Sequence, residues 1–176
     1  MTIQPTIETF LAAARQALAS ASPERAMRAL LDATVAALYT RSSRWIEHDG
    51  DEMLLASLPE ITLYHIALSP HVHYPPHDHR MPAMVALYRG AETSFSYRRN
   101  GGALVRTRRQ DYTAPCVAAL PADVIHSVVN TGEVRSAAIH VYFGELTAVE
   151  RSVWDPDLRE ERRFDNRFYF EQARPL

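Results

Sequence analysis

The chain has one cysteine, Cys116, and no lysine. A single thiol cannot close an internal disulfide, so nothing in the composition points to an oxidising compartment. No stretch approaches the roughly 18 uninterrupted apolar residues of a membrane-spanning helix. The opening residues, MTIQPTIETFLAAARQ, lack a basic segment followed by an apolar run, so no secretory signal is expected and a cytoplasmic location follows by default. All 19 cationic residues are arginine. They are scattered and matched by 21 acids for a net charge of −2, which fits a compositional bias better than a phosphate-binding role. That balance gives no reason to expect nucleic acid or a membrane as a partner.

At 176 residues, with 47% hydrophobic and 23% charged, the chain has the makings of one soluble domain with a real core; an oligomer is compatible with it. Ile7, Phe10, Leu11, Ala14 and Leu18 recur at helical spacing. A second helix is expected from Ser22 as N-cap and Pro23 at the first helical position, with Ala26, Leu30, Leu31, Val35 and Leu38 as its apolar stripe. After about residue 58 the texture changes to short β-branched and aromatic runs: EITLYHIAL, AMVALYRG, ETSFSYRR, ALVRTRR, DYTAP, CVAALP, DVIHSVVN and SAAIHVYF. Asn100-Gly101 suits a tight type I′ hairpin turn. Seven or eight such strands without an intervening helix predict a mainly β fold, a small antiparallel barrel or jelly roll preceded by two helices. Residues 1–48 are read as a helical segment packed on that barrel. Residues 49–176 are read as the barrel with a charged, aromatic tail wrapped around it.

Three of the eight histidines fall within HYPPHDHR, residues 73–80. A polar loop, a surface histidine cluster and half of a metal site all fit that stretch. On a strand, residues two apart share a face, so His77 and His79 would aim their rings into one space while Asp78 points away. Imidazole pairs suit iron, copper, nickel or zinc rather than calcium or magnesium. A second segment, PADVIHSVVN, places His126 after a proline turn at the start of a strand, with Asn130 four residues on. His71 and His73 share parity with His77, but Pro75-Pro76 interrupts the register, and lining an entrance suits them better than ligation. His65 reads as a packed strand residue and His48 as a loop residue.

Together the two segments resemble the paired motifs of the cupin superfamily, whose fold is a double-stranded β-helix. Gly90 stands where the first motif closes. The usual glutamate of that motif is missing, with Ala83 and Met84 in its place, and Asp123 replaces a glycine of the second motif. The resemblance therefore implies a three-histidine site of His77, His79 and His126. Within that superfamily, PPHDHRMPAMVALYRGAE and IHSVVNTGEVRSAAIHVYFGEL resemble the thiol dioxygenases, especially the 3-mercaptopropionate type. The likeness runs over roughly residues 60–155. It implies Fe(II) as the cofactor, with nickel or zinc as alternative occupants. It also implies a small thiol carboxylate and dioxygen as reactants and a sulfinate as product. His140 and Tyr142 would form a polar relay beside the reacting groups, and Arg151 would grip the substrate carboxylate, with Arg44 and Arg80 in reserve. Ala138 stands where the family has a serine that supports the histidine, which puts the orientation of His140 in doubt. The cysteine that cross-links to tyrosine in mammalian-type relatives would fall near Met84, so no such cross-link is expected.

Overall fold

The computed structural model describes residues 6–40, 46, 48, 50–158 and 160–176. Arg44 and most of the expected boundary near residue 48 lie outside them. Helix α1 spans Ile7–Leu18 and is capped by the Thr6 hydroxyl, which accepts from the Thr9 amide at 3.2 Å. Helix α2 spans Pro23–Thr40, and the Ser22 carbonyl accepts its first helical bond from Ala26. Its buried face is Met27, Leu31, Thr34, Val35 and Leu38. Ala26 and Leu30, expected in the stripe, are only partly buried at its margin.

The strands are β1 Glu52–Leu58, β2 Ile61–Ile66, β3 Val72–Asp78, β4 Ala83–Arg89, β5 Ala91–Asn100, β6 Ala103–Thr113, β7 Cys116–Leu120, β8 Ile125–Asn130, β9 Ala137–Tyr142, β10 Ser152–Trp154, β11 Glu161–Arg163 and β12 Arg174–Pro175; the short helix α3, Asn166–Glu171, lies between the last two. They form two antiparallel sheets, β1-β2-β9-β4-β7 and β11-β10-β3-β8-β5-β6, with β12 added to β3. The inner faces of both sheets line shared cavities, which makes the pair a jelly-roll barrel.

Alternation along the first sheet separates core from site. Ile61, Leu63, Met84, Ala86, Ile139 and Val141 turn outward and pack under Phe10, Met27, Leu31 and Val35 of the helices. Their intervening neighbours Tyr64, Val85 and His140 face the barrel interior. His65 is on the outward face, where it bonds the Tyr88 hydroxyl at 2.6 Å and His48 at 2.8 Å.

Three local expectations shift. The tight turn falls on Gly101 and Gly102, with φ of +56° and +88°, while Asn100 still pairs with Ala103. DYTAP is no separate strand: β6 runs on to Thr113. Strand β1 carries no alternating signal in sequence, and six of its seven residues are half-buried.

Gly90 joins β4 to β5 at φ +81°, and a Cβ there would lie 3.0 Å from the Cα of Ser136. Gly101 also has positive φ but open space around it. Gly90→Ala is therefore expected to cost about 2 kcal/mol or more by denaturant titration, combining left-handed strain with a backbone clash. Gly101→Ala should cost only about 1 kcal/mol.

Candidate metal centre

The site begins with a register shift in β3. His73 pairs with Val129 and Tyr74 with Val128, but the next pair is His77 with His126. One extra residue is accommodated at Pro75-Pro76, a bulge. Without it His77 would share the face of His73. With it, His77 turns to the interior, while His73 stays on the outer face and bonds the Ser127 hydroxyl at 2.8 Å. His71 pairs with Glu133. Neither of these two borders the cavity that His77 and His126 line.

His77, His79 and His126 are each at most 7% exposed, and one ring nitrogen from each lies within 4.8 Å of the other two. The His77 Nδ1–H donates to the Pro75 carbonyl at 3.1 Å, which leaves its Nε2 as the ligand atom. The His126 Nδ1 faces the Ser94 hydroxyl at 3.3 Å. His79 Nδ1 and His126 Nε2 are buried without a hydrogen-bond partner among the described residues. Orphaned buried nitrogens on converging rings suit a divalent metal, which supplies the missing partner. Burial, reinforced by the neighbouring histidines, holds His77 and His79 well below the usual imidazole range, and burial lowers His126 to about 4. All three are neutral near pH 7, the form that binds metal.

His77 and His126 open on a cavity of about 60 Å³ that is also lined by Glu52, Tyr64, His140, Tyr142, Arg151, Phe164 and Tyr169. His140 Nδ1 and the Tyr142 hydroxyl are 3.3 Å apart. His140 Nε2 is buried without a partner among the described residues, and Ala138 has no group to offer it. Arg151 reaches the same space, its guanidinium carbon 3.4 Å from the centre of the Phe164 ring. That guanidinium makes no ion pair among the described residues; Glu150, its sequence neighbour, pairs with Arg163 instead. Burial lowers the pKa of Arg151 and raises those of Glu52 and Tyr142.

Asp78 faces the other way. Its carboxylate, 2% exposed as a residue, accepts from the Ser152 amide at 2.7 Å and from Arg80 Nε at 2.7 Å. Arg99 and Ser152 then tie Glu161 into the same network. This fixes β10 beside β3, with Val153 opposite His77, and so places Arg151 and Phe164 at the cavity. Arg80 is thus a clamp on the tail rather than a substrate hook. The contributions of Glu52, Tyr64, Phe164 and Tyr169 to the cavity were not expected. The aromatic tail was the available signal for the last two, but it carries no register.

No family model matches this chain, and no curated protein matches it. Solved structures are similar to it at low identity. An RmlC-like cupin family protein with a double-stranded β-helix fold from Methanocaldococcus jannaschii is 13% identical, with 58% of this chain and 89% of that one covered, at a TM-score of 0.47. A mutant of Bacillus subtilis oxalate decarboxylase is 18% identical, covering 57% of this chain and 27% of that one, at 0.46. The DMSP lyase DddQ from Ruegeria pomeroyi is 14% identical, covering 53% and 43%, at 0.43. The chain spans 22% to 29% of the oxalate decarboxylase chains it matches. The chemistry of the site rests on its own residues.

Two outcomes follow from the buried carboxylates. Asp78→Ala leaves the Ser152 amide and Arg80 Nε without their acceptor, and is expected to cost about 2–4 kcal/mol and to speed hydrogen exchange in β10 and β11. Glu92, buried on β5 and bonded by the Ser136 hydroxyl at 2.5 Å, is pushed up from 4.5 to about 7 by burial. The folded chain therefore holds this proton more tightly than the unfolded one. Its contribution to stability is full below about pH 4.5 and is lost as pH rises to about 7, a fall of roughly 3 kcal/mol. Glu92→Gln should flatten that part of a stability–pH curve and be the more stable protein at pH 8.

Proposed function

We propose that this chain is a thiol dioxygenase, in which His77, His79 and His126 hold Fe(II). In this reading it converts a small thiol carboxylate, 3-mercaptopropionate or a cysteine-like thiol, to its sulfinate. The reaction RSH + O2 → RSO2H places both oxygen atoms on sulfur and needs no external reductant. The observation that carries it is the half-buried Arg151, without an ion pair among the described residues, in the cavity that His77 and His126 of the histidine cluster also line. That is one anchor for a carboxylate and one for a metal, bordering a single space. Bound iron would supply the redox chemistry that dioxygen requires to react with a thiolate.

The chain's own residues do the rest. Arg151 orients the substrate by its carboxylate in two parallel hydrogen bonds, and Phe164 braces the guanidinium from one face. Burial keeps the Tyr142 phenol protonated, so its hydroxyl is a donor toward the reacting atoms, with His140 Nδ1 at its side. Tyr64, Phe164 and Tyr169 exclude water. A second reading is supported by the unpartnered His140 Nε2 and the missing serine at Ala138: a cupin-like protein that binds a metal or small ligand without turnover, or one that acts on another small molecule.

Protein purified anaerobically and loaded with iron should consume one dioxygen per sulfinate formed from 3-mercaptopropionate or cysteine. His126→Ala should lose the metal by elemental analysis. Arg151→Met should raise KM for carboxylate-bearing thiols at least about tenfold while leaving cysteamine unaffected. No oxygen uptake with cysteine, 3-mercaptopropionate or cysteamine would rule the dioxygenase out, and tight zinc with no turnover would favour the binding protein.

A further inference from the structure

A second cavity lies on the far side of the imidazoles. It is bounded by Val85 and Leu87 of β4, Ala118 and Leu120 of β7, and Val128 of β8. His126 and His140 border both this space and the substrate cavity. In the first sheet the order is β1-β2-β9-β4-β7, and His140 stands on the central β9. The charged cavity thus sits beneath the β1–β2 end, and the aliphatic one beneath the β4–β7 end.

We propose that this aliphatic cavity is a binding site for dioxygen on its way to the metal, separate from the route taken by the thiol. The inference rests on the dioxygenase reading for the identity of the gas. Three properties select the occupant. The free space is about 30 Å³, half that beside Arg151, and no arginine lines it, so it suits a small uncharged guest better than a thiol carboxylate. The wall surface is mostly apolar, and its polar groups are few: Glu92 is engaged by Ser136 and Ser94 by His126, while His140, whose Nε2 has no partner among the described residues, stands on the border with the substrate cavity. A small apolar space of this kind favours an apolar guest over water. Finally, Tyr112 and Cys116, the lining residues next to the β6–β7 connection, are only half-buried, which gives the cavity an outlet to solvent there.

The functional advantage is one of order. Thiol bound between Arg151 and the metal blocks the charged mouth, so the second reactant needs a different entrance.

Xenon-pressurised crystals should show the gas between Leu87, Ala118 and Val128, and Ala118→Phe should abolish that peak. With iron-loaded protein, Ala118→Phe should raise KM for dioxygen severalfold with KM for the thiol unchanged. Should the phenylalanine variant fail to fold, methanethiolation of Cys116 on folded wild-type protein makes the same test. Cys116 is the chain's one thiol, so Cys116→Ala serves as the insensitive control. Xenon absent from this cavity overturns the proposal, as does a blocked protein whose KM for dioxygen is unchanged or rises no more than that for the thiol. If no thiol is oxidised by any form, the dioxygenase reading fails, and xenon occupancy alone then decides whether the cavity is a gas site.

Discussion

His77, Asp78 and His79 are consecutive, and their side chains face alternately into and out of the barrel. This alternation is the constraint on which the rest of the molecule depends. The inward pair meets His126 across the β3–β8 ladder, while the outward aspartate seizes the Ser152 amide and two arginines. One short run of chain therefore builds the imidazole cluster and anchors the segment that completes the cavity around it. The bulge at Pro75-Pro76 sets the phase. Shift it by one residue and Asp78 would enter the barrel while both histidines left it.

The electrostatics of the cavity are arranged by burial more than by pairing. Three imidazoles stay neutral because water is excluded from them, and the Tyr142 phenol keeps its proton for the same reason. Against that background Arg151 is the exception, a cation held in a half-buried space with an aromatic ring for support and no carboxylate in contact. Glu52 acts on it through space from the same cavity but forms no ion pair with it, which leaves the guanidinium able to receive an anionic ligand.

Much of this was legible in the sequence because it rests on short-range periodicity. Period two along a strand is enough to group His77 with His79 and to put His140 and Tyr142 on one face. The helices could be read from their spacing and from Pro23. What escaped was set by tertiary contact. Strand β1 is half-buried along nearly its whole length, so no alternation marks it, and with it Glu52 went unnoticed. Glu92 looks like any polar strand residue until the barrel closes over it. The role of Arg80 depends on Asp78, two residues back, and on Glu161, eighty-one residues on, a relation no local pattern encodes. Even the glycine hairpin moved by one position, because both Gly101 and Gly102 tolerate the left-handed backbone and pairing of Asn100 with Ala103 chooses between registers.

The division of the cavity between early and late parts of the chain bears on how it comes into being. The three clustered imidazoles belong to residues 77–126, whereas the cation and two of the aromatic walls belong to 151–169. A chain emerging from the ribosome N-terminus first presents the histidine cluster before its cover exists. The cover is held from outside the barrel, through Asp78, so the histidine cluster and its lid of aromatic side chains are built by separate stretches of chain joined at one buried carboxylate.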